Sequence, residues 1–214
     1  MNGPVVDGGV IAGNFEDKYR SPNPIARYLM DNFLASVREL VSKSGCNDAL
    51  EVGCGEGRLA IHLHQQLGLT IRGTDFSQQI LAQARANAAE AGANISFEVL
   101  DLSREPTIEQ QTDLVICCEV LEHLENPEFA LANIVRLARK YLVLSVPREP
   151  VWRALNMARG KYWGDLGNTP GHIQHFSKTS FLEMVSRYAD VSEVRSPLPW
   201  TVVLARPRSQ RAPA

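Results

Sequence analysis

Leu50-Glu51-Val52-Gly53-Cys54-Gly55-Glu56-Gly57 is the stretch on which the reading of this chain turns. A short apolar run over 49–52 predicts a buried strand, and the leucines and isoleucine of 58–67 recur at helical spacing. Glycines between a strand and a helix let the backbone turn sharply and approach a ligand at the carboxyl end of the strand. The spacing is G-x-G-x-G, with one residue between the second and third glycines, whereas the dinucleotide fingerprint G-x-G-x-x-G has two. Glu51, two positions before the first glycine, would repel a pyrophosphate and suits a cationic ligand group.

Outward from this loop the chain alternates in type. Pro24 opens a helix carrying Ile25, Tyr28, Leu29, Phe33 and Val37 on one face, and a turn at 44–47 ends it. Strands are predicted at 69–74, 95–100, 114–118 and 141–146, with helices at 77–91 and 127–138 between them. Strand then helix, repeated, implies an α/β fold: a doubly wound, mostly parallel sheet covered on both faces. Residues 147–176, rich in Gly, Pro, Arg and Trp, break the rhythm and read as a lid inserted after the fifth strand. A helix at 181–188 and strands at 190–195 and 201–205 close the sheet. Residues 1–214 thus read as a single domain, with an N-terminal lid and helix at 1–44 and a frayed tail at 206–214.

A chain of 214 residues buries roughly 70% of its unfolded surface and needs no disulfide or structural metal to hold a core. Its charge, 22 Lys+Arg against 24 Asp+Glu, weighs against a protein that grips nucleic-acid backbone. Cys46, Cys54, Cys117 and Cys118 form no C-x-x-C pair, so reduced, buried thiols in a cytoplasmic protein are expected. The start of the chain does not read as a signal peptide, and no apolar run approaches the ~18 residues that span a bilayer.

Two further carboxylates end the next strands. Asp75 lies at about the separation from the loop at which an acid binds ribose hydroxyls in doubly wound folds, and Asp101 is placed to accept from an adenine amino group. The plainer reading is that Asp75 caps a helix and Asp101 sits in a turn. Taken together, E-x-G-x-G-x-G, Asp75 and Asp101-Leu102 resemble the class I S-adenosylmethionine-dependent methyltransferases, type 11, over about residues 49–146. The resemblance implies a seven-stranded sheet with its last strand reversed. It also implies cofactor contacts from Glu51, Gly53, Cys54, Gly55, Gly57, Asp75, Phe76, Asp101, Leu102 and Cys118. Asp17-Lys18-Tyr19 resembles a lid over the methionine end of the cofactor, with Tyr19 as its contact; a solvated loop is the alternative.

After the fourth strand comes Cys118-Glu119-Val120-Leu121-Glu122-His123. On a helical turn Glu119, Glu122 and His123 share a face, where they can hold a divalent ion, or His123 can act as a general base beside Glu122. His172 and His175 offer a further ligand from the insertion. The stretch resembles the ubiquinone-pathway O-methyltransferases and the small-RNA 3′-terminal 2′-O-methyltransferases, whose E-x-x-E-H and later histidine imply a metal (Mg, Mn or Zn). Aligning the following helix start puts His172 on the ligand position. The metal-free alternative keeps a glutamate in solvent and a histidine near the cofactor.

The insertion carries Trp152, Leu155, Ala158 and Tyr162 or Trp163 on one face, with Arg148, Arg153, Arg159 and Lys161 as charge. It reads as a helix packed on the sheet edge, with peripheral membrane contact as the alternative and residues 164–171 as a hinge. His62 and His64 read as packing or surface residues. The function expected is methyl transfer to a small-molecule hydroxyl, on an acceptor that is anionic or partly apolar. The rivals are an RNA 2′-O-methyltransferase, a nicotinamide-dependent oxidoreductase and a non-catalytic binding module. Nucleic acid is not expected as a partner, and the residues carry no reading of oligomeric state.

Overall fold

Asn23 and Gly45 bracket the first long helix. The Asn23 Oδ1 accepts from the N–H groups of Ile25 and Ala26, Pro24 follows, and Gly45 closes the end in a left-handed conformation. In the computed structural model, which describes residues 5–7, 10–12, 22–104, 111–158 and 163–208, this helix is α1 (Pro24–Ser44). It follows a two-stranded antiparallel pair, β1 (Val5–Asp7) with β2 (Val10–Ala12). Then come β3 (Asp48–Val52), α2 (Arg58–Leu67), β4 (Thr70–Asp75), α3 (Gln78–Glu90), β5 (Ser96–Val99), β6 (Thr112–Cys118), α4 (Pro127–Leu137) and β7 (Ala138–Pro147). The chain closes with α5 (Val151–Ala158), α6 (Lys178–Tyr188), β8 (Ala189–Arg195) and β9 (Trp200–Pro207).

The main sheet has seven strands in the order β5-β4-β3-β6-β7-β9-β8. β3, β4, β5, β6 and β7 pair in parallel, and only β9 runs against its neighbours β7 and β8. This is the sheet that the resemblance implied. β6 reads as a near-continuous apolar run, Leu114 to Cys118, because both of its faces are covered. One face packs Leu50, Val115, Leu131, Ile134, Phe181 and Val185 beneath α4 and α6. The other packs Phe33, Val37, Leu40, Leu63, Ile116 and Val143 beneath α1 and α2.

Two expectations about the ends and the insertion change. Residues 206 and 207, expected to fray, continue β9, and Arg208 is tied down beyond it: Arg206 lies over the Tyr141 ring and donates to its hydroxyl at 2.6 Å, and Arg208 pairs with Asp190 at 2.7 Å. The stretch expected to be a hinge is pinned. Asn156 Nδ2 donates to Gly167 O at 2.9 Å and to Thr169 Oγ1 at 3.1 Å, and Arg153 Nε donates to Leu166 O at 2.8 Å. A Cβ on Gly167 would lie 2.3 Å from the carbonyl oxygen of Arg153, so this loop and α5 are in backbone contact. α5 buries Trp152 and Asn156, one turn apart, where Leu155 and Ala158 had been expected. Arg159, Lys161 and Tyr162 lie outside the described residues, as do the Trp163 side chain and Tyr19.

Leu131 is fully buried between α4 and the sheet. Leu131→Ala should therefore cost about 2–5 kcal/mol, seen as a lower urea midpoint with an unchanged denaturant slope.

Candidate active site

Parallel pairing brings the carboxyl ends of β3, β4, β6 and β7 to one edge of the sheet, and the loop after β3 lies there. Gly53, Gly55 and Gly57 all adopt positive φ. At Gly53 a Cβ would lie 2.4 Å from Val120 Cγ2, so the loop and the segment after β6 approach closely only without a side chain. Cys54 N–H bonds to Thr74 O at 2.8 Å, tying the loop to the end of β4.

Asp75 is 5% exposed; its Oδ2 accepts from Gly55 N–H at 3.0 Å and its Oδ1 from Ser77 N–H at 3.2 Å. It thus holds the glycine loop as well as the turn into α3. Phe76 beside it is exposed, offering an aromatic face at the cleft. Asp101 serves its own turn: Oδ1 accepts from the Ser103 N–H and hydroxyl at 2.9 and 2.6 Å, and Oδ2 faces Arg104 at 3.3 Å. The plainer reading of Asp101 describes its present contacts, while Leu102 is buried behind it.

Glu51 is 4% exposed, and among the described residues its Oε2 has no hydrogen-bond partner. Burial pushes its carboxyl up to about 8, opposed by a backbone hydrogen bond from Ala60 and reinforced by the charge of Asp75. A buried acid with an unused oxygen, beside a cradle with no room for a Cβ, fits the cationic end of an amino-acid-bearing cofactor. Burial also pushes the thiols of Cys54, Cys117 and Cys118 upward, so they are packing groups rather than nucleophiles.

The second cluster follows β6. Leu121–His123 form one 3-10 turn. The Glu122 carbonyl accepts from the N–H groups of Ile173 and Gln174 at 3.0 and 2.9 Å, stitching the segment before α6 to this turn. His172 is thereby placed against His123 with ring centroids 4.8 Å apart, edge to face, and Trp152 stacks on its other side at 5.6 Å. One ligand atom from each of Glu122, His123 and His172 lies within 4.8 Å of the others. His123 Nδ1 is 2.8 Å from Gly171 O. That contact requires Nδ1 to carry a proton, which leaves Nε2 of the neutral ring with its lone pair, 3.9 Å from Glu122 Oε1. One carboxylate and two imidazoles are a donor set suited to a divalent transition ion.

Glu119, expected as a further ligand, is directed elsewhere. Its backbone turns left-handed (φ 61) at the end of β6, and its carboxylate accepts from the Trp200 indole at 2.7 Å and the Ser145 hydroxyl at 3.5 Å. His175 also lies apart, against Asn168 Oδ1 at 3.1 Å. Sequence reasoning missed Trp200, Asn156 and Thr169; the strand expected at 201–205 began one residue after Trp200.

Residues 49–141 match the family described as the methyltransferase domain. The chain is 33% identical over 91 residues to a ubiquinone biosynthesis O-methyltransferase of Azoarcus sp. (strain BH72), covering 42% of this chain and 39% of that protein. It is 28% identical over 155 residues to the enzyme so named from Cupriavidus pinatubonensis (strain JMP 134 / LMG 1197), covering 64% and 60%. It therefore spans less than two thirds of these curated relatives. Among solved structures it resembles the magnesium protoporphyrin IX methyltransferase of Synechocystis PCC 6803 with bound SAH, at a TM-score of 0.69 and 20% identity, over 89% of this chain and 91% of that one.

A carboxyl raised from 4.5 to about 8 keeps its proton in the native protein after the unfolded chain has released it. Glu51 therefore makes stability fall as pH rises from about 4.5 to 8, by up to about 1.4 kcal/mol per pH unit. Glu51→Gln should flatten that slope and be more stable than the parent at pH 8, as read from urea unfolding at several pH values.

Proposed function

We propose that this chain, by family and fold a class I S-adenosylmethionine-dependent methyltransferase, transfers the cofactor's methyl group to a hydroxyl of a small-molecule acceptor. When bound, the cofactor supplies an electrophilic methyl on a sulfonium. This chain's part is to hold its cationic amino-acid end at Glu51 and the glycine loop, and its ribose and adenine along Asp75, Phe76 and Leu102. An acidic pocket suits that ligand and opposes the pyrophosphate of a nicotinamide dinucleotide.

The observation that carries the reading to oxygen is the lone pair of His123 Nε2, held toward Glu122 and His172 by the contact of Nδ1 with Gly171 O. A protonated hydroxyl is a poor nucleophile. As its oxygen bonds to the methyl carbon and the sulfur–carbon bond breaks, its proton passes to Nε2, and the buried Glu122 favours the imidazolium that forms. Glu122, His123 and His172 also form a ligand set. A divalent ion bound there would lower the pKa of the acceptor hydroxyl. The chain's likeness to ubiquinone biosynthesis O-methyltransferases supports oxygen as the methylated atom.

Calorimetry with S-adenosylhomocysteine at pH 7, in buffers of different ionisation enthalpy, should show release of most of one proton as the ligand ammonium ionises Glu51. Binding of NADH in its place would falsify the assignment. In a screen of phenolic, sugar and lipid-linked acceptors with labelled cofactor, His123→Ala should lower turnover by roughly 10²–10⁴-fold while the affinity for S-adenosylhomocysteine is kept. Loss of activity on exhaustive chelation, restored by magnesium, manganese or zinc, is expected of the metal form of this site; full activity after chelation leaves His123 alone as the base.

A further inference from the structure

Arg148 follows β7, the strand that neighbours β6 in the sheet. Its N–H donates to Pro199 O at 2.8 Å and its carbonyl accepts from Trp152 N–H at 3.0 Å, so the root of the side chain is fixed. The residue is partly buried, and its Nε is shut off from water without a hydrogen-bond partner among the described residues. Among the described residues no carboxylate pairs with it. Glu149 is adjacent in sequence, yet the charges that bear on its carboxyl are those of His175 and Arg153. Arg153, the other basic residue of this segment among those described, has its Nε committed to Leu166 O.

A guanidinium cannot shed its charge, and holding its Nε away from water with no carboxylate beside it among the described residues costs stability. Its position gives that cost a purpose. The acids that suit the cofactor end β3 and β4, with Phe76 beside them, so the transferable methyl must be presented toward β6 and β7. There His123 follows one strand and Arg148 the other. We propose that Arg148 is a specificity-determining residue that receives an acidic group of the methyl acceptor, a carboxylate or a phosphate, as a hydrogen-bonded ion pair. This rests on the methyltransferase reading above.

The test is thermal unfolding of the full chain with and without saturating S-adenosylhomocysteine, using benzoate, phenyl phosphate and the neutral benzamide as probes. Without a probe, Arg148→Met should melt higher than the parent, by about 2–4 °C. The parent should be stabilised by millimolar benzoate or phenyl phosphate and not by benzamide, whereas R148M should respond to none and R148K should keep part of the response. Which anion acts tells carboxylate from phosphate. The proposal is overturned if neither anion exceeds benzamide on the parent, if R148M keeps the anion shift, or if R148M melts no higher. A missing shift from S-adenosylhomocysteine would instead count against the methyltransferase reading, and is read separately.

Discussion

The parallel register of β3 with β4 and β6, and of β6 with β7, is the constraint from which the site follows. Parallel strands all end at the same edge, and the crossover helices return the chain to the opposite one, so whatever follows each strand is collected in one crevice. Glu51, Asp75, Glu119 and Arg148 are far apart in sequence, yet each ends or follows a strand of this set. The reversed β9 then lays Trp200 beside Pro147, which brings its indole to Glu119 at the end of β6.

The crevice is built at the expense of stability. Glu51 keeps a raised pKa because its site is dry, Glu122 is 1% exposed, and Arg148 holds an Nε away from water. Each would be cheaper as an apolar group in a chain selected only to fold. The rest of the molecule offsets this with apolar layers on both faces of the sheet and with exposed ion pairs, such as Lys43 with Glu193, that contribute little.

Local signals carried well. Capping residues, helical spacing and continuous apolar runs are set by neighbours within a few positions, so the order of strands and helices, the glycine loop and the pairing of Glu122 with His123 were legible. Side-chain direction was not. Glu119 sits at helical spacing from Glu122 and His123, but a left-handed residue at the strand end turns it to Trp200, a partner 81 residues away. The glycines of 164–171 read as freedom, whereas Asn156 and Arg153 tie that loop down. Residues 206–208 read as a polar tail, but 206 and 207 extend β9 and Tyr141 and Asp190 hold the arginines of this stretch in place.

The amino-acid sequence by itself determined the alternation of elements, the spacing of glycines that excludes the dinucleotide fingerprint, and the acid placed before them, because each depends on contacts short in sequence. Only the tertiary structure decided which groups meet. His172 reaches Glu122 and His123 because the Glu122 carbonyl bonds the backbone of Ile173 and Gln174. Asp101 is taken up by its own turn, and Arg148 is left without a carboxylate partner among the described residues. Those outcomes depend on burial and on long-range hydrogen bonds, which no local pattern of residues encodes.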